Sequence, residues 1–295
     1  MAYRPNSSIQ DLARQGRGGL TRNIAFVMVK NPFADPAYAC AIDGISQAAK
    51  THGLHLFLEH LQGDETRLID LPPVLRDGRV DGILITGNLT EAAIDLIQRL
   101  KIPYVILGAY PRRISSGAIS VSFDFVQRIG DLVGALVHKG ASRIAFFTEN
   151  PDNFYEQQNI IAFHAALQEN KLPVNEALIY KGTGVRSGAT AVLLPVFKEE
   201  KLPFDAIVCP DYRTAQDISN LALARAGLGI TPDLLIATGR PFDYYRLPVP
   251  AIYFEAAADV AAVEGVNALM NQLSGKDPSP SKQIVLDAII NTDFS

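Results

Sequence analysis

Cysteine and long apolar runs are scarce in this sequence. Only two cysteines, Cys40 and Cys209, occur in 295 residues. This argues against a disulfide framework and favours a reducing compartment, with one bridge between the two as the alternative. No apolar run reaches the ~18 residues of a membrane-spanning helix, and the polar start MAYRPNSSIQ predicts no secretory signal peptide. We therefore expect a cytoplasmic protein that has no membrane partner.

Motifs that carry chemistry are also scarce. The stretch KGTGVRSG, residues 181–188, lacks both the spacing of dinucleotide-binding glycines and the Lys-Ser/Thr pair of a phosphate loop. Its glycines fit a tight strand-to-helix turn. His52, His55 and His60 lie near one another, yet alternation along a strand would turn the last two to opposite sheet faces. We expect no cofactor and no metal site.

No nucleophile, base and orienting acid stand at a usable spacing, so we predict that the chain is not an enzyme. Catalytic groups can assemble from distant positions, so an enzyme acting on a sugar or nucleotide stays open as an alternative. Turnover of candidate ligands would separate the two.

Charge of neither sign dominates the whole chain. The net charge is −4, with 48% hydrophobic and 20% charged residues, as is ordinary for a globular protein. Residues 1–22, however, hold four arginines against one aspartate. A basic arm on an acidic body indicates nucleic acid at that end only. The length suffices for two domains.

The stretch from Asn23 to Ile45 reads as a strand, a loop and a helix in succession. Its apolar start, NIAFVMV, has the length of a strand buried on both faces of a parallel sheet. Asn31-Pro32 ends the strand, because proline has no amide donor. After the loop, small and apolar residues recur at helical spacing.

A similar plan returns at residues 143–150, RIAFFTEN, which opens with the same Ile-Ala-Phe and closes on a second Asn-Pro pair. Two halves that each begin with strand, loop and helix predict two similar α/β domains. Between them we expect a strand at 54–61, a helix at 65–75, and alternating strands and helices up to residue 107. A closing strand is predicted over 284–290. Ligands of open parallel sheets bind beyond the carboxyl ends of the strands, which predicts a cleft between the domains.

Several segments together resemble the lactose-repressor (LacI/GalR) family of bacterial transcription regulators. They are Tyr3-Arg4-Pro5-Asn6 with Leu12, the Asn31–Ala34 loop, the stretch Lys139–Ala145, and the turn Cys209-Pro210-Asp211. The resemblance implies an α/β fold of two Rossmann-like domains of the periplasmic-binding-protein type I, with parallel sheets. It also implies three parts: a hinge remnant at 1–22, one subdomain at 23–121 plus 253–276, and a second at 122–252 plus 277–295.

The same resemblance implies how DNA is contacted. Family members begin with a helix-turn-helix headpiece, and this sequence starts at the YRPN that normally follows it, so we expect operator DNA to be read through a missing headpiece. Leu12 and Arg14 are the expected contacts of a hinge helix, with the leucine wedged into the minor groove. Asp11 departs from the family pattern, and a disordered tail is the competing interpretation.

An effector site follows from the resemblance as well. Phe33 or Tyr38 would stack on a ring of the ligand, although an aromatic residue near a strand end is often part of the core. Asp124 and Asp211 would face the ligand, and the competing interpretation of each is a helix or turn cap. The expected effector-binding residues are Phe33, Asp35, Tyr38, Asn88, Asp124, Gln157, Asp211, Arg240 and Glu255.

Two of these positions depart from the family pattern. Gln157 stands where an arginine is common, and Arg240 stands where an aspartate is common. Our hypothesis is that Arg240 replaces the lost cation and holds an anionic or polyhydroxylated ligand through its planar donors. The competing interpretation is a surface ion pair with Asp243 or Glu255.

The function expected from these points is a homodimeric repressor controlled by a small-molecule effector, a sugar or sugar derivative. The alternative is a solute-binding protein of a sugar transporter, which shares the fold. Such a protein would need a signal peptide and would not carry the YRPN-hinge stretch.

Overall fold

The computed structural model describes most of the chain, in fourteen segments. These are residues 19–29, 36–61, 63–64, 67–68, 71–87, 89–111, 117–152, 154–183, 188–227, 234–240, 246–255, 258–276, 282–287 and 289–291. The chain divides into two compact units. The first unit comprises residues 1–122 and 258–286, and the second comprises residues 123–257 and 287–295.

The first unit is built on a six-stranded sheet with the order β13-β7-β6-β5-β1-β2. Its strands are β1 (Asn23–Val29), β2 (His55–Leu61), β5 (Gly82–Gly87), β6 (Tyr104–Leu107), β7 (Ile119–Phe123) and β13 (Lys282–Leu286). Apart from this sheet, β3 (Gly63–Asp64) pairs antiparallel with β4 (Arg67–Leu68). The helices are α1 (Pro36–His52), α2 (Pro73–Arg76), α3 (Glu91–Arg99) and α8 (Ala258–Leu273).

Strand β1 lies inside this sheet, with β2 and β5 pairing parallel on either side. All seven of its residues are buried, as its unbroken apolar sequence predicts for a strand that is covered on both faces. On one face α1 packs against α8. A side chain at Gly44 would place its Cβ only 2.3 Å from the carbonyl oxygen of Asp259, so this close approach of two helices requires glycine.

The second unit repeats the arrangement with the sheet order β14-β12-β11-β10-β8-β9. Its strands are β8 (Ile144–Thr148), β9 (Ile179–Lys181), β10 (Ala206–Cys209), β11 (Leu235–Arg240), β12 (Ala251–Glu255) and β14 (Ile289–Asn291). Its helices are α4 (Phe125–His138), α5 (Phe154–Glu169), α6 (Gly188–Phe197) and α7 (Tyr212–Gly227). Among the described strands of this sheet, only β14 runs antiparallel to its neighbour, β12. The prediction of two similar α/β domains with parallel sheets is therefore confirmed.

The two units also share a carboxylate clamp at equivalent positions. In the first unit Asp81, just before β5, accepts hydrogen bonds from the amides of Thr21 and Arg22, at 2.9 and 2.6 Å. In the second unit Asp205, just before β10, accepts from the amides of Ser142 and Arg143, at 3.1 and 2.9 Å. Each carboxylate ties the residues that precede the unit's first strand to the start of an adjacent strand.

Two predicted elements differ in the structure. Of the range 65–75 in which a helix is expected, the described residues form the strand β4 at 67–68 and the four-residue helix α2, whose first turn Pro72 and Pro73 place at residue 73. The single closing strand expected over 284–290 is two strands, β13 and β14, one in each sheet. Strand β12 pairs with β11, so residues 253–255 lie in the second unit, and not in the first subdomain that the resemblance implies for them.

Both cysteines are buried and free, so the alternative of a bridge between Cys40 and Cys209 is not realised. Across the described segments, no helix is both long enough and apolar enough to span a bilayer.

Candidate functional site

Polar residues gather at one edge of the second unit's sheet. Strands β8, β10, β11 and β12 run parallel, so their carboxyl ends meet at the same edge. Glu149 follows β8, Asp211 follows β10 after one residue, and Arg240 and Glu255 close β11 and β12. This edge is where open α/β sheets place their ligands. Of the nine residues expected from the sequence, it brings three together, namely Asp211, Arg240 and Glu255.

Asp211 directly precedes helix α7. Its Oδ1 atom accepts a hydrogen bond from the amide of Thr214 at 2.8 Å and from the Thr214 hydroxyl at 2.9 Å. This is a helix cap, so the competing interpretation of Asp211 is correct as far as Oδ1 is concerned. A cap at a helix start also holds a carboxylate in a fixed direction, which suits it for a second contact.

Glu149 is the most perturbed carboxylate of this edge. Its Oε1 atom is buried and has no hydrogen-bond partner. Burial raises the pKa of Glu149 to about 7, from an ordinary 4.5. The guanidinium of Arg213 opposes this rise in pKa, while Glu156, Asp211 and Asp217 add to it. Carboxylates that share a site disfavour one another's ionised form. The carboxylates at this edge can therefore either bind a proton or accept a hydrogen bond from a ligand.

A glycine makes room for the Glu149 side chain. A Cβ atom at Gly188, the first residue of α6, would lie 2.6 Å from the Glu149 Oε1 atom. The glycine-rich stretch 181–188 therefore ends in a residue whose lack of a side chain accommodates a carboxylate. This reason for the glycine goes beyond the tight turn expected from the sequence.

The first turn of α5 carries Glu156, whose side chain is hydrogen-bonded to the end of β8 and the loop after it, and Gln157, whose side chain is exposed. The Oε2 atom of Glu156 accepts hydrogen bonds from the Thr148 hydroxyl and from the Asn150 amide, the latter at 2.9 Å. Glu156 thereby fixes the loop that follows β8. Gln157 is exposed, so its amide is available to a ligand.

Arg240 and Glu255 are direct neighbours on adjacent strands, because the register of β11 and β12 pairs them. The structure describes the backbone of Arg240 and not its side chain, so the choice between a ligand contact and an ion pair stays a prediction. Burial raises the pKa of Asp217, on α7 close to this edge, with Arg213 opposing and Asp211 adding to the rise.

Asp124 begins α4 and caps it. Its Oδ1 atom accepts from the amide of Gln127 at 2.9 Å, which is the competing interpretation drawn from the sequence. Asp131, about two turns further along the helix, has a pKa raised by burial and then by the charge of Asp124.

The corresponding edge of the first unit is described only in part. Tyr38 lies in the first turn of α1 and is half-buried. The hydroxyl of Tyr110 donates to the carbonyl of Gly87 across 2.6 Å, and burial raises the pKa of this phenol to about 12. The hydroxyl of Thr86 donates to the carbonyl of Leu107 across 2.7 Å. These bonds hold together the carboxyl ends of β5 and β6.

Five predicted residues lie outside the described residues, so their placement stays a prediction. They are the hinge residues Leu12 and Arg14 and the effector-site residues Phe33, Asp35 and Asn88. Within the described segments, no group of three or more His, Cys, Asp or Glu side chains is arranged to hold a metal ion.

Glu149, Glu156, Arg213 and Asp217 were missed in the sequence. Glu149 carries a signal that was available: a carboxylate directly after a buried strand, one residue before the Asn150-Pro151 pair. Glu156 and Arg213 stand in the first turns of α5 and α7, and Asp217 stands in the second turn of α7. Their relation to Glu149 depends on which strands are neighbours, and a single sequence does not give that order.

Residues 21–234 match the family described as periplasmic binding proteins and sugar binding domain of LacI family. The match covers well over half of the chain. The chain belongs to this family. The resemblance noted in the sequence is thereby confirmed, and so is the periplasmic-binding-protein type I fold.

Individual relatives are distant. The chain is 23% identical over 181 residues to catabolite control protein A of Staphylococcus xylosus, over 61% of this chain and 53% of that protein. The chain thus spans about half the length of this relative. It is 23% identical over 279 residues to the transcriptional repressor PurR of Haemophilus influenzae, over 92% of this chain and 80% of the relative. The second of these relatives is named as a transcriptional repressor.

Solved structures support the same fold. The transcriptional regulator CelR, determined as a complex with cellobiose, superimposes with a TM-score of 0.77 at 18% identity. The similarity covers 92% of this chain and 83% of CelR.

Proposed function

We propose that this chain is the effector-binding body of a transcriptional repressor, and that a small polar ligand binds at the carboxyl edges of its two sheets. The single observation that carries the proposal is the family match over residues 21–234. The regulators named among its relatives favour this function over that of a solute-binding protein of a sugar transporter.

The polar edge of the second unit supplies the ligand contacts. Asp211 and Glu255 accept hydrogen bonds from ligand hydroxyls, Gln157 both donates and accepts, and Arg240 donates through its guanidinium. Phe33, Asp35, Tyr38, Asn88 and Asp124 complete the set from the other elements. The ligand class is a sugar or sugar derivative, because the carboxylates and the amide at this edge match the hydroxyl groups of such a ligand. The likeness to a regulator solved with cellobiose supports the same class.

Regulation follows from a change in the arrangement of the two subdomains. A ligand that prefers one arrangement stabilises it by the difference of its two affinities, typically ~1–3 kcal/mol in allosteric proteins. In a homodimer this change alters the spacing of two hinge segments that include Leu12 and Arg14, and with it the affinity for operator DNA. The protein acts in the cytoplasm, where the operator is found.

Thermal-shift screening tests the proposal. The protein is heated with sugars, sugar acids, sugar phosphates and nucleobases, each at saturating concentration. A ligand at a hundred times its Kd adds ~2.7 kcal/mol to the free energy of unfolding. We expect a shift with a member of the sugar classes. If no compound in these four classes shifts the transition, the proposal is wrong.

A second measurement separates the repressor from the solute-binding protein. Binding of the full-length protein to DNA fragments from upstream of its own gene is measured with and without the ligand. A repressor binds a fragment, and the ligand changes that affinity about five- to 150-fold. A solute-binding protein binds the ligand and no fragment.

A further inference from the structure

Glu149 places an unsatisfied acceptor at the carboxyl edge of the second unit's sheet, directly after β8. Its Oε1 atom is buried and has no hydrogen-bond partner among the described residues, whereas buried polar atoms of folded proteins nearly always have one. The residue as a whole is only half-buried, so a ligand at this edge can still reach the carboxylate. An acceptor of this kind indicates that its donor comes from a ligand.

Two glycines allow the chain to close around Glu149. A Cβ atom at Gly188, the first residue of α6, would lie 2.6 Å from the Oε1 atom. A Cβ atom at Gly182, directly after β9, would lie 2.7 Å from the Glu149 carbonyl oxygen. A larger residue at either position would displace Glu149. The close approach of both segments therefore fixes where the carboxylate lies.

Hydrogen bonds also hold the residues on either side of Glu149. The Oε2 atom of Glu156 accepts from the Thr148 hydroxyl and from the Asn150 amide, the latter across 2.9 Å. The carbonyl of Thr148 accepts from the amide of Gly182 across 2.7 Å. Glu149 thus extends from backbone that is already ordered, and a preorganised acceptor loses little conformational entropy when a ligand binds.

The charges that act on Glu149 are mainly negative. Glu156, Asp211 and Asp217 act on it as like charges, and the guanidinium of Arg213 opposes them. Glu156 and Asp211 already accept hydrogen bonds from main-chain amides. A positive group added beside Glu149 would therefore relieve repulsion among several carboxylates.

The other elements around Glu149 add little charge. Helix α6 has no charged residue between Gly188 and Phe197. Strand β9 ends in Lys181, which is exposed, and β10 ends in the buried thiol of Cys209. The excess of carboxylates near Glu149 is therefore not balanced from these elements.

We propose that Glu149 determines the specificity of the ligand site and selects a sugar that carries a protonated amine. This inference rests on the proposed function and narrows its ligand class. An ammonium group supplies both hydrogen-bond donors and a positive charge, so it satisfies the free acceptor and compensates the excess of carboxylates. A neutral hydroxyl satisfies only the acceptor. The hydroxyls of an amino sugar stay available to Gln157 and Asp211.

The inference fixes how affinity depends on pH. Burial raises the pKa of Glu149 to about 7 in the unliganded protein, and only the ionised carboxylate attracts an ammonium group. Between about pH 6 and about pH 7 the ionised fraction rises from roughly a tenth to roughly a half, so the affinity for an amino sugar should rise about fivefold. A Glu149 that kept its proton and donated it to a neutral sugar would give the opposite trend.

Matched pairs of sugars test the inference by calorimetric titration at about pH 7. Glucosamine, galactosamine and mannosamine each replace one hydroxyl of glucose, galactose and mannose by an amine. We expect at least one amino sugar to bind about ten- to a hundredfold more tightly than its parent sugar. In Glu149→Gln, which keeps the shape and one acceptor oxygen, this ratio should fall to about one. Glu169→Gln, an exposed carboxylate on α5, is the control and should keep the wild-type ratio.

The outcomes separate this inference from the proposed function. A parent sugar that binds as tightly as its amino sugar would overturn the inference and leave the function intact, as would binding of other sugars but of none of the three pairs. A preference for the amine that survives in Glu149→Gln would overturn the role of this residue. Failure of every compound class in the thermal-shift screen would overturn the function itself.

Gly188→Ala is a second test, because it displaces the carboxylate without removing its charge. With a Cβ atom 2.6 Å from Oε1, the preference for the amino sugar should fall at least about threefold, while affinity for the parent sugar stays near wild type. Gly134→Ala, on α4, is the matched control, since its Cβ atom meets nothing within 4 Å. Circular dichroism checks that the variants are folded. An unchanged preference in a folded Gly188→Ala protein would contradict a direct contact between the ammonium and Glu149.

Discussion

The guanidinium of Arg225 donates a hydrogen bond to the main-chain carbonyl of Phe197 across 2.8 Å. It also donates to the carbonyls of Glu199 and Glu200, while being only 5% exposed. Helix α6 ends at Phe197, and the last carbonyls of a helix have no partner within the helix. A side chain from α7 thus satisfies the end of α6, a short helix that already contains Pro195.

Replacing Arg225 with methionine should lower the free energy of unfolding by about 2–4 kcal/mol, because buried carbonyls lose their donors. Arg225→Lys should recover less than half of this loss, since a single ammonium cannot copy the planar fork of donors. Urea denaturation measures both variants, with the exposed Arg99→Met on α3 as the matched control. A loss below about 0.5 kcal/mol in Arg225→Met would show that water replaces the guanidinium.

Because Asp81 and Asp205 make the same kind of contact in the two units, removing either carboxylate should destabilise its own unit by a similar amount. Each carboxylate accepts two backbone amides and one hydroxyl, so Asp81→Ala and Asp205→Ala should each cost about 1–3 kcal/mol. Native-state hydrogen exchange locates the effect: Asp81→Ala should speed exchange in β1 and Asp205→Ala in β8. Faster exchange of both strands in both variants would contradict separate clamps.

Two glycine-to-alanine substitutions in helices should change the free energy of unfolding in opposite directions. At Gly44 the new Cβ would lie 2.3 Å from the Asp259 carbonyl, which forces α1 and α8 apart and costs at least about 2 kcal/mol. At Gly134, on α4, a Cβ meets nothing within 4 Å, so alanine should stabilise by about 0.4–1 kcal/mol. Thermal denaturation of the two variants beside wild type gives the signs. Equal effects would mean that the α1–α8 contact is not tight.

How far the sequence predicts this fold depends on the kind of residue. The strands β1 and β8 were predictable, because an unbroken apolar run of this length is typical of a strand that is buried on both faces of a parallel sheet. The two-residue strands β3 and β4 and the four-residue helix α2 were not predictable, because elements of this length are too short to show a periodicity. Asp124 and Asp211 were predictable as caps from their place before a helix. The surroundings of Glu149 depend on which strands are neighbours and on Gly188, which lies 39 residues further along the chain (188 − 149).

The raised pKa of Glu149 makes the stability of the unliganded protein depend on pH. The folded chain keeps a proton on Glu149 up to about pH 7, whereas the unfolded chain releases it near the ordinary value of 4.5. The contribution to the free energy of unfolding is therefore fully present below pH 4.5 and is lost as the pH rises through about 7. Glu149→Gln should remove this dependence.

At pH 8 Glu149→Gln should be more stable than wild type by roughly 1–2 kcal/mol, a figure reduced for partial exposure. The two should be nearly equal at pH 4.5. Urea denaturation across this range measures the difference, and Glu169→Gln, an exposed carboxylate on α5, is the control. A difference that does not change with pH would show that Glu149 is ionised in the folded state throughout.

Calorimetric titration of Asp211→Asn with the sugar found in the thermal-shift screen tests the central claim most directly. Asparagine caps a helix as well as aspartate does, so α7 keeps its start while the ligand loses a charged acceptor. We predict a Kd at least about tenfold weaker than wild type, with Glu169→Gln unchanged. An Asp211→Asn protein that is fully folded and binds the sugar with wild-type affinity would contradict a ligand site at the carboxyl edge of the second sheet.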